Sequence, residues 1–137
     1  MTEKDTLVLT KNEMEIMRLL WTQGRPLSRS EIVDLSPERS WKASSIHILL
    51  NQLLEKEAIM VDGFVKTGRN YGRTYSAAIS PEEYQIIQIK QNTAFLQSKS
   101  VAISNIVSEL IKDDALDEET LDKLEAILRE RRHNMKK

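Results

Sequence analysis

Apolar residues recur at three- and four-residue steps near the start of the chain. Met14, Ile16, Met17, Leu20 and Trp21 form one such stripe, which predicts an amphipathic helix with that side turned to a core. Thr10-Lys11-Asn12-Glu13 marks its start: in a capping box of this spacing a threonine hydroxyl and a glutamate three residues on satisfy two free amides. Gly24 and Pro26 end it. Ser28-Arg29-Ser30-Glu31 repeats the box and opens a short helix through Ile32 and Leu35, stopped by Ser36-Pro37. A third helix is expected just after Trp41, with Ile46, Leu49, Leu50, Leu53 and Leu54 inward and Ser44, Ser45, His47, Asn51 and Gln52 mostly outward.

From Ile59 the period falls to two. Ile59 and Val61, then Tyr75, Ala77 and Ile79, alternate with other residues, and Gly68 and Gly72 lie between the runs, which predicts a β-hairpin. Its connecting segment, Lys66 to Arg73, contains glycine, is basic, and is expected to protrude. Three short helices followed by a basic hairpin predict a winged helix-turn-helix over residues 1–80.

Ser80-Pro81-Glu82-Glu83 starts a new helix and a second segment, residues 81–137. Tyr84, Ile87, Phe95, Leu96, Val101, Ile103, Ile106, Val107, Leu110 and Ile111 indicate one long helix, or two joined near Gln97 to Ser100. Beyond the acidic stretch 113–117, Leu121, Leu124, Ile127 and Leu128 stripe a final helix. Helices totalling about 50 residues cannot enclose a core of their own. A second copy is the simplest cover, giving a two-fold homodimer with candidate contacts at Phe95, Val101, Ile103, Ile106, Val107, Leu110 and Ile111 and at Leu121, Leu124, Ile127 and Leu128. The expected class is therefore mostly α: an N-terminal winged helix-turn-helix with a β-hairpin wing, plus a C-terminal helical dimerisation region.

Composition then removes several functions. The 137 residues include no Cys, which excludes a disulfide framework, a thiolate nucleophile and the usual structural zinc sites. No apolar run approaches the roughly 20 residues of a membrane span, and the N-terminus is too acidic for a secretory signal, so the expectation is a cytoplasmic protein with no membrane partner. The two histidines, His47 and His133, are 86 positions apart, and neither a phosphate-cradling glycine motif nor a nucleophile elbow is present. An enzyme is not expected, nor a cofactor or metal. The acids at 113, 114 and 117–119 lack the glycine and ligand spacing of a calcium loop and read as a solvated turn and helix start.

Net charge is -1, which by itself argues against nucleic acid. Its distribution does not. No acid occurs between Gly63 and Pro81, where Lys66, Arg69 and Arg73 fall within eight residues. These three are candidate phosphate contacts. Ser44, Ser45, His47, Asn51 and Gln52 suit phosphates or base edges in a major groove, the two amides being matched to adenine; Lys42 and Ile48 complete the candidate contacts of that helix. The bland alternative is a solvated face. Trp41 reads as a packing anchor before a helix, and Arg129, Arg131, Arg132 and His133 as cations favoured by a helix C-terminus. Double-stranded DNA is thus the expected partner. The alternative is a winged-helix protein-interaction module without DNA binding, which has no need of an acid-free basic wing.

Leu9-Thr10 with Glu13, Ile16-Met17 ahead of Leu20-Trp21, Trp41, Ser45-Ile46 with Leu49-Leu50, Leu53 and Lys56, a hairpin ending at Tyr75, and Ser80-Pro81-Glu82-Glu83 follow one another in a telling order. In these features the chain resembles the penicillinase-repressor (BlaI/MecI/CopY) family of bacterial transcription regulators, over residues 7–130. The resemblance implies a homodimeric, sequence-specific repressor whose winged helix binds palindromic promoter operators, with a link to antibiotic resistance. It also marks departures. Ser44, His47 and Gln52 stand where basic residues are usual, Ile48 where a small hydroxyl residue is common, and Glu57 where a glycine closes the recognition helix. The cysteine-rich tail of the copper-responsive branch is missing. In the penicillin-resistance branch a sensor-protease pathway cleaves an Asn-Phe bond; Glu109-Leu110 aligns there, leaving Asn105-Ile106 as the candidate cleavage site.

Overall fold

The structure is a computed structural model and describes residues 7–67, 70–92, 97–112 and 116–136. The chain divides into two compact units, Met1–Asn92 and Thr93–Lys137.

In the first unit both N-terminal capping boxes form. Helix α1 (Lys11–Gln23) starts with the Glu13 amide donating to Thr10 Oγ1 at 3.2 Å and the Thr10 amide donating to Glu13 Oε1 at 2.8 Å. It ends on Gly24, whose φ of 63° lets its amide reach the Leu20 carbonyl at 3.1 Å. Ile16, Met17 and Leu20 are buried. Strand β1 is only Leu27–Ser28, and Ser28 also caps α2 (Arg29–Asp34). The Glu31 carboxylate accepts the Ser28 amide at 3.0 Å and a guanidinium hydrogen of Arg25 at 2.8 Å. These bonds, the Ser28 amide first, hold the Glu31 carboxyl below its ordinary range.

The third helix differs from expectation at its start. Lys42 offers no side-chain cap, and the first turn tightens into a 3-10 turn at Ala43–Ser45 before α3 (Ile46–Glu55) begins. Ile46, Leu49, Leu50 and Leu53 are buried as expected, and Leu54 is half-buried. After α3 the Ala58 amide donates to the Leu53 carbonyl and the Glu57 amide to the Leu54 carbonyl, both at 3.0 Å. This pair of bonds is a Schellman motif with Glu57, at φ 60°, in the left-handed position.

Strands β2 (Ile59–Thr67) and β3 (Asn70–Ala77) pair antiparallel, and the sheet order is β1-β3-β2. The expected Lys66-to-Arg73 connection is mostly strand: Lys66 pairs with Tyr71 and Thr67 with Asn70, so only residues 68 and 69, outside the described residues, separate the two strands. The backbone pairing of the hairpin continues past the core, through Phe64, Lys66, Tyr71 and Arg73, which are all exposed. Asp62 is the extra residue of a bulge between Val61 and Gly63. Ile79 lies beyond the end of β3, buried, with its carbonyl accepting the Trp21 indole N–H at 2.8 Å.

Helix α4 (Pro81–Gln91) starts at Ser80, whose hydroxyl accepts the Glu83 amide at 3.0 Å; the return bond of a full box is not made among the described residues. Tyr84 and Ile87, grouped by their spacing with the C-terminal helices, pack against the core of this first unit. Gln88 and Gln91 both donate to the Leu7 carbonyl at 3.0 Å. One buried charge underlies the assembly: Glu13 is fully buried, and Lys56, just past α3, reaches its Oε1 at 2.6 Å and the Val8 carbonyl at 2.9 Å. The ammonium therefore ties the N-terminal segment, α1 and the end of α3 together.

The second unit contains α5 (Lys99–Ile111) and α6 (Glu118–Met135), and neither has a buried residue. Asp117 caps α6, its carboxylate accepting the Thr120 amide at 2.8 Å, and bonds to Thr120 hold this acid below its usual range. Arg132 and His133 lie in the last turn, where the helix dipole favours cations. Among the described residues no helix is long and apolar enough to cross a membrane.

Candidate nucleic-acid interface

The apolar stripe that sinks α3 into the core leaves its other side in solvent. Ser44, His47, Ile48, Asn51 and Gln52 are exposed there, Ser45 is half-buried, and Lys42 is exposed just ahead of the 3-10 turn. The pairing of β3 with both β1 and β2 stands the wing beside this surface. Lys66 and Arg73 are exposed on it, while Arg69 lies outside the described residues.

Three elements converge on one cleft of about 320 Å³. Its walls are Ser28, Arg29 and Ser30 from the start of α2, His47 and Asn51 from α3, and Tyr71, Gly72, Arg73 and Tyr75 from β3. Of the expected contacts the cleft thus brings together His47, Asn51 and Arg73; Lys42, Ser44, Ser45, Ile48, Gln52 and Lys66 are not among its lining residues. Arg29, Ser30 and Tyr71 were not anticipated. The capping box at Ser28 was the available signal for the first two, because it makes them the opening residues of a helix whose apolar member, Ile32, points inward.

The electrostatics of the cleft have one sign. Arg29 and Arg73 are its charged lining residues, and no carboxylate is among them. The Arg29 guanidinium meets the His47 ring with Nη1 at 2.7 Å from the ring nitrogens, so α2 and α3 touch across this surface. A concave wall of guanidinium, imidazole, amide and hydroxyl groups suits a polyanion with hydrogen-bonding edges. Among the described residues no group of His, Cys, Asp or Glu is placed to hold a metal ion. Trp41 is buried with the Arg39 guanidinium 5.4 Å from its ring centroid, in the packing role expected of it.

In the second unit the residues named for dimer contact are largely in solvent. Val101, Ile103, Val107, Leu110 and Ile111 of α5 are exposed, as are Leu121, Ile127 and Leu128 of α6, Leu110 at 63% and Leu128 at 65%. Ile106 and Leu124 are half-buried, and Phe95 lies outside the described residues. Asn105 and Ile106 sit within the continuous helix α5.

Comparison with known proteins matches the chain to the penicillinase repressor family over residues 9–130. It is 24% identical over 124 residues to the penicillinase repressor of Bacillus licheniformis, covering 90% of this chain and 91% of that protein. It is 26% identical over 125 residues to an uncharacterised 16.5 kDa protein of the ptsI 3' region of Latilactobacillus sakei, covering 91% of this chain and 81% of that protein. A family match that spans the winged helix and both C-terminal helices settles the kinship: the chain belongs to the penicillinase repressor family, a family of DNA-binding transcriptional repressors.

Proposed function

We propose that this protein is a homodimeric repressor that occupies a palindromic operator, one winged helix on each half-site. Helix α3 lies in the major groove with His47, Ile48, Asn51 and Gln52 toward base edges. Lys42, Ser44, Ser45, Lys66, Arg69 and Arg73 hold phosphates on either side. The observation that carries this reading is the acid-free cleft in which the start of α2, the outer side of α3 and the wing meet. Two-fold symmetry of protein and operator is supported by the exposed apolar residues on α5 and α6 of the second unit, which a like surface would cover. We place the DNA-binding segment at 1–80 and the dimer contact within 81–137. Repression ends when the link between half-sites is lost, because each winged helix then binds without the high effective concentration its twin provides. Cleavage at Asn105–Ile106 would do this, and since the bond lies inside a helix, α5 must open locally first.

The test is a fluorescence anisotropy titration of the full chain with a duplex that the protein itself selects from a random-sequence pool. Tight binding of that duplex over random DNA, weakening steeply with salt, is expected. Equal binding of both would favour the protein-interaction module. Sedimentation should show a dimer for the full chain and a monomer for residues 1–92, the fragment that keeps α4 on its core. Immunoblots during exposure of the host to a cell-wall antibiotic should show a shortened band, and a persistent full-length band with target genes on would exclude cleavage.

A further inference from the structure

Behind the sheet the first unit has a second, larger cavity, of about 570 Å³. Consecutive strand residues point to opposite faces. Tyr75 lines the cleft shared with α3 and Ser76 lines this cavity, which therefore lies on the side of β3 turned away from α3. Its walls come from the end of α1, the bulge in β2, the last residues of β3 and the start of α4. Trp21, Pro26, Ala77 and Pro81 supply apolar surface, and the bond from the Trp21 indole N–H to the Ile79 carbonyl, at 2.8 Å, fixes that ring in the wall. Asp62 and Glu83 supply two carboxylates. Among the described residues neither has an ion-pair partner, and the buried Ser76 hydroxyl makes no hydrogen bond.

We propose that this cavity binds a small organic cation, a primary ammonium carried on an apolar body. The sign of the ligand follows from which charges are already answered. Arg25, the one cation among the lining residues, is held by Glu31 at 2.8 Å. At the start of α4, Pro81 has no amide to give an anion, the Glu83 amide is donated to Ser80 Oγ at 3.0 Å, and Glu82 adds a negative charge. What is left unanswered is negative. The Trp21 ring attracts a cation through its quadrupole, and an ammonium brings three donors to a wall where Asp62, Glu83 and Ser76 offer acceptors. The apolar body lies on Pro26, Ala77 and Pro81, and the volume is that of an ordinary small-ligand site. The cavity differs from the acid-free cleft in both place and sign, so its occupancy does not rest on the DNA-binding reading.

The test titrates the full chain, without DNA, with three probes of one shape: 2-phenylethylamine, neutral 2-phenylethanol and anionic phenylacetate. Proton–nitrogen correlation spectra follow each titration. The amine is expected to bind with a Kd of about 1 mM or tighter and to move the Trp21 indole signal and the amides of Asp62, Ser76 and Glu83. The alcohol should bind more weakly and the phenylacetate not at all. Asp62→Asn and Glu83→Gln should each weaken the amine about threefold, the scale of an exposed ion pair, and Asp62→Lys should turn the preference toward phenylacetate. Asp62 and Glu83 are exposed, so circular dichroism and melting of these variants should match the parent. Equal binding of amine and alcohol, or amine binding unchanged in both carboxylate variants, would overturn the proposal. So would amine shifts confined to Arg29, His47 and Asn51, which would put the probe in the other cleft, or no binding of the amine at all. None of these results bears on whether the protein selects a duplex.

Discussion

Glu57→Gly should make this protein more stable. Among the described residues Glu57 is the one non-glycine residue at positive φ, 60°. A side chain there brings Cβ close to the following carbonyl and costs roughly 1 to 2 kcal/mol. Glycine adopts this conformation freely but adds disorder to the unfolded chain, which returns about 0.5 to 1 kcal/mol. The net gain is therefore about 0.5 to 1 kcal/mol, or about 2 to 8 °C in Tm for a domain the size of the first unit. Among the described residues the exposed Glu57 carboxylate has no ion-pair partner to lose, and the two Schellman bonds are made by the backbone and survive the change. Urea denaturation of parent, Glu57→Gly and Glu57→Ala checks it. Alanine keeps the Cβ and so should stay close to the parent. A Glu57→Gly protein no more stable than Glu57→Ala would refute the claim that backbone strain sits at this position.

Lys56→Met should cost about 2 to 4 kcal/mol, because it strands the buried Glu13 carboxylate without its ammonium; the Glu13→Gln/Lys56→Met protein should recover most of that loss in the same urea titration. Glu31 supplies the acid-side signature: its folded pKa lies below its ordinary 4.5, so its contribution is complete above that value and disappears as pH falls through the lower folded one. Glu31→Gln should accordingly be less stable than the parent near neutrality, with the gap closing below pH 4.5 in melts run across that window. On DNA, Arg73→Ala should weaken binding to all sequences alike, and Gln52→Ala should relax preference at one base pair at a cost of about 1 to 3 kcal/mol, read by anisotropy against a set of single-base operator variants.

What was legible in the sequence was local. The boxes at Thr10 and Ser28 announce their helices because donor and acceptor lie three residues apart. The α3 stripe likewise identifies its outward side. Non-local pairing was not legible. Strand β1 has two residues, too few for any periodicity, and exists because β3 folds back to pair with it. Glu13 reads as the return arm of a capping box, and nothing local shows that it is also fully buried and paired with Lys56, far along the chain. Arg29 and Tyr71 joined the cleft only once α2 and β3 were brought to α3. Tyr84 and Ile87 have helical spacing that fits either unit, and only their packing against the core of the first unit, with the Tyr84 ring centroid 6.2 Å from that of Trp21, shows which they serve.

Ser28 holds two offices at once, since it pairs with Thr74 of the wing while its hydroxyl fixes the first turn of α2. A hairpin that swung away from α3 would have to break that register, next to the residue that caps α2. The spacing between wing and recognition helix is thus a built-in ruler, set by the fold and not by what is bound. On such a template the duplex is the yielding component. Operators would be ranked by how cheaply their steps deform to the ruler as well as by their bases, and a mutation at Ser28 would blur that ranking through the position of the wing.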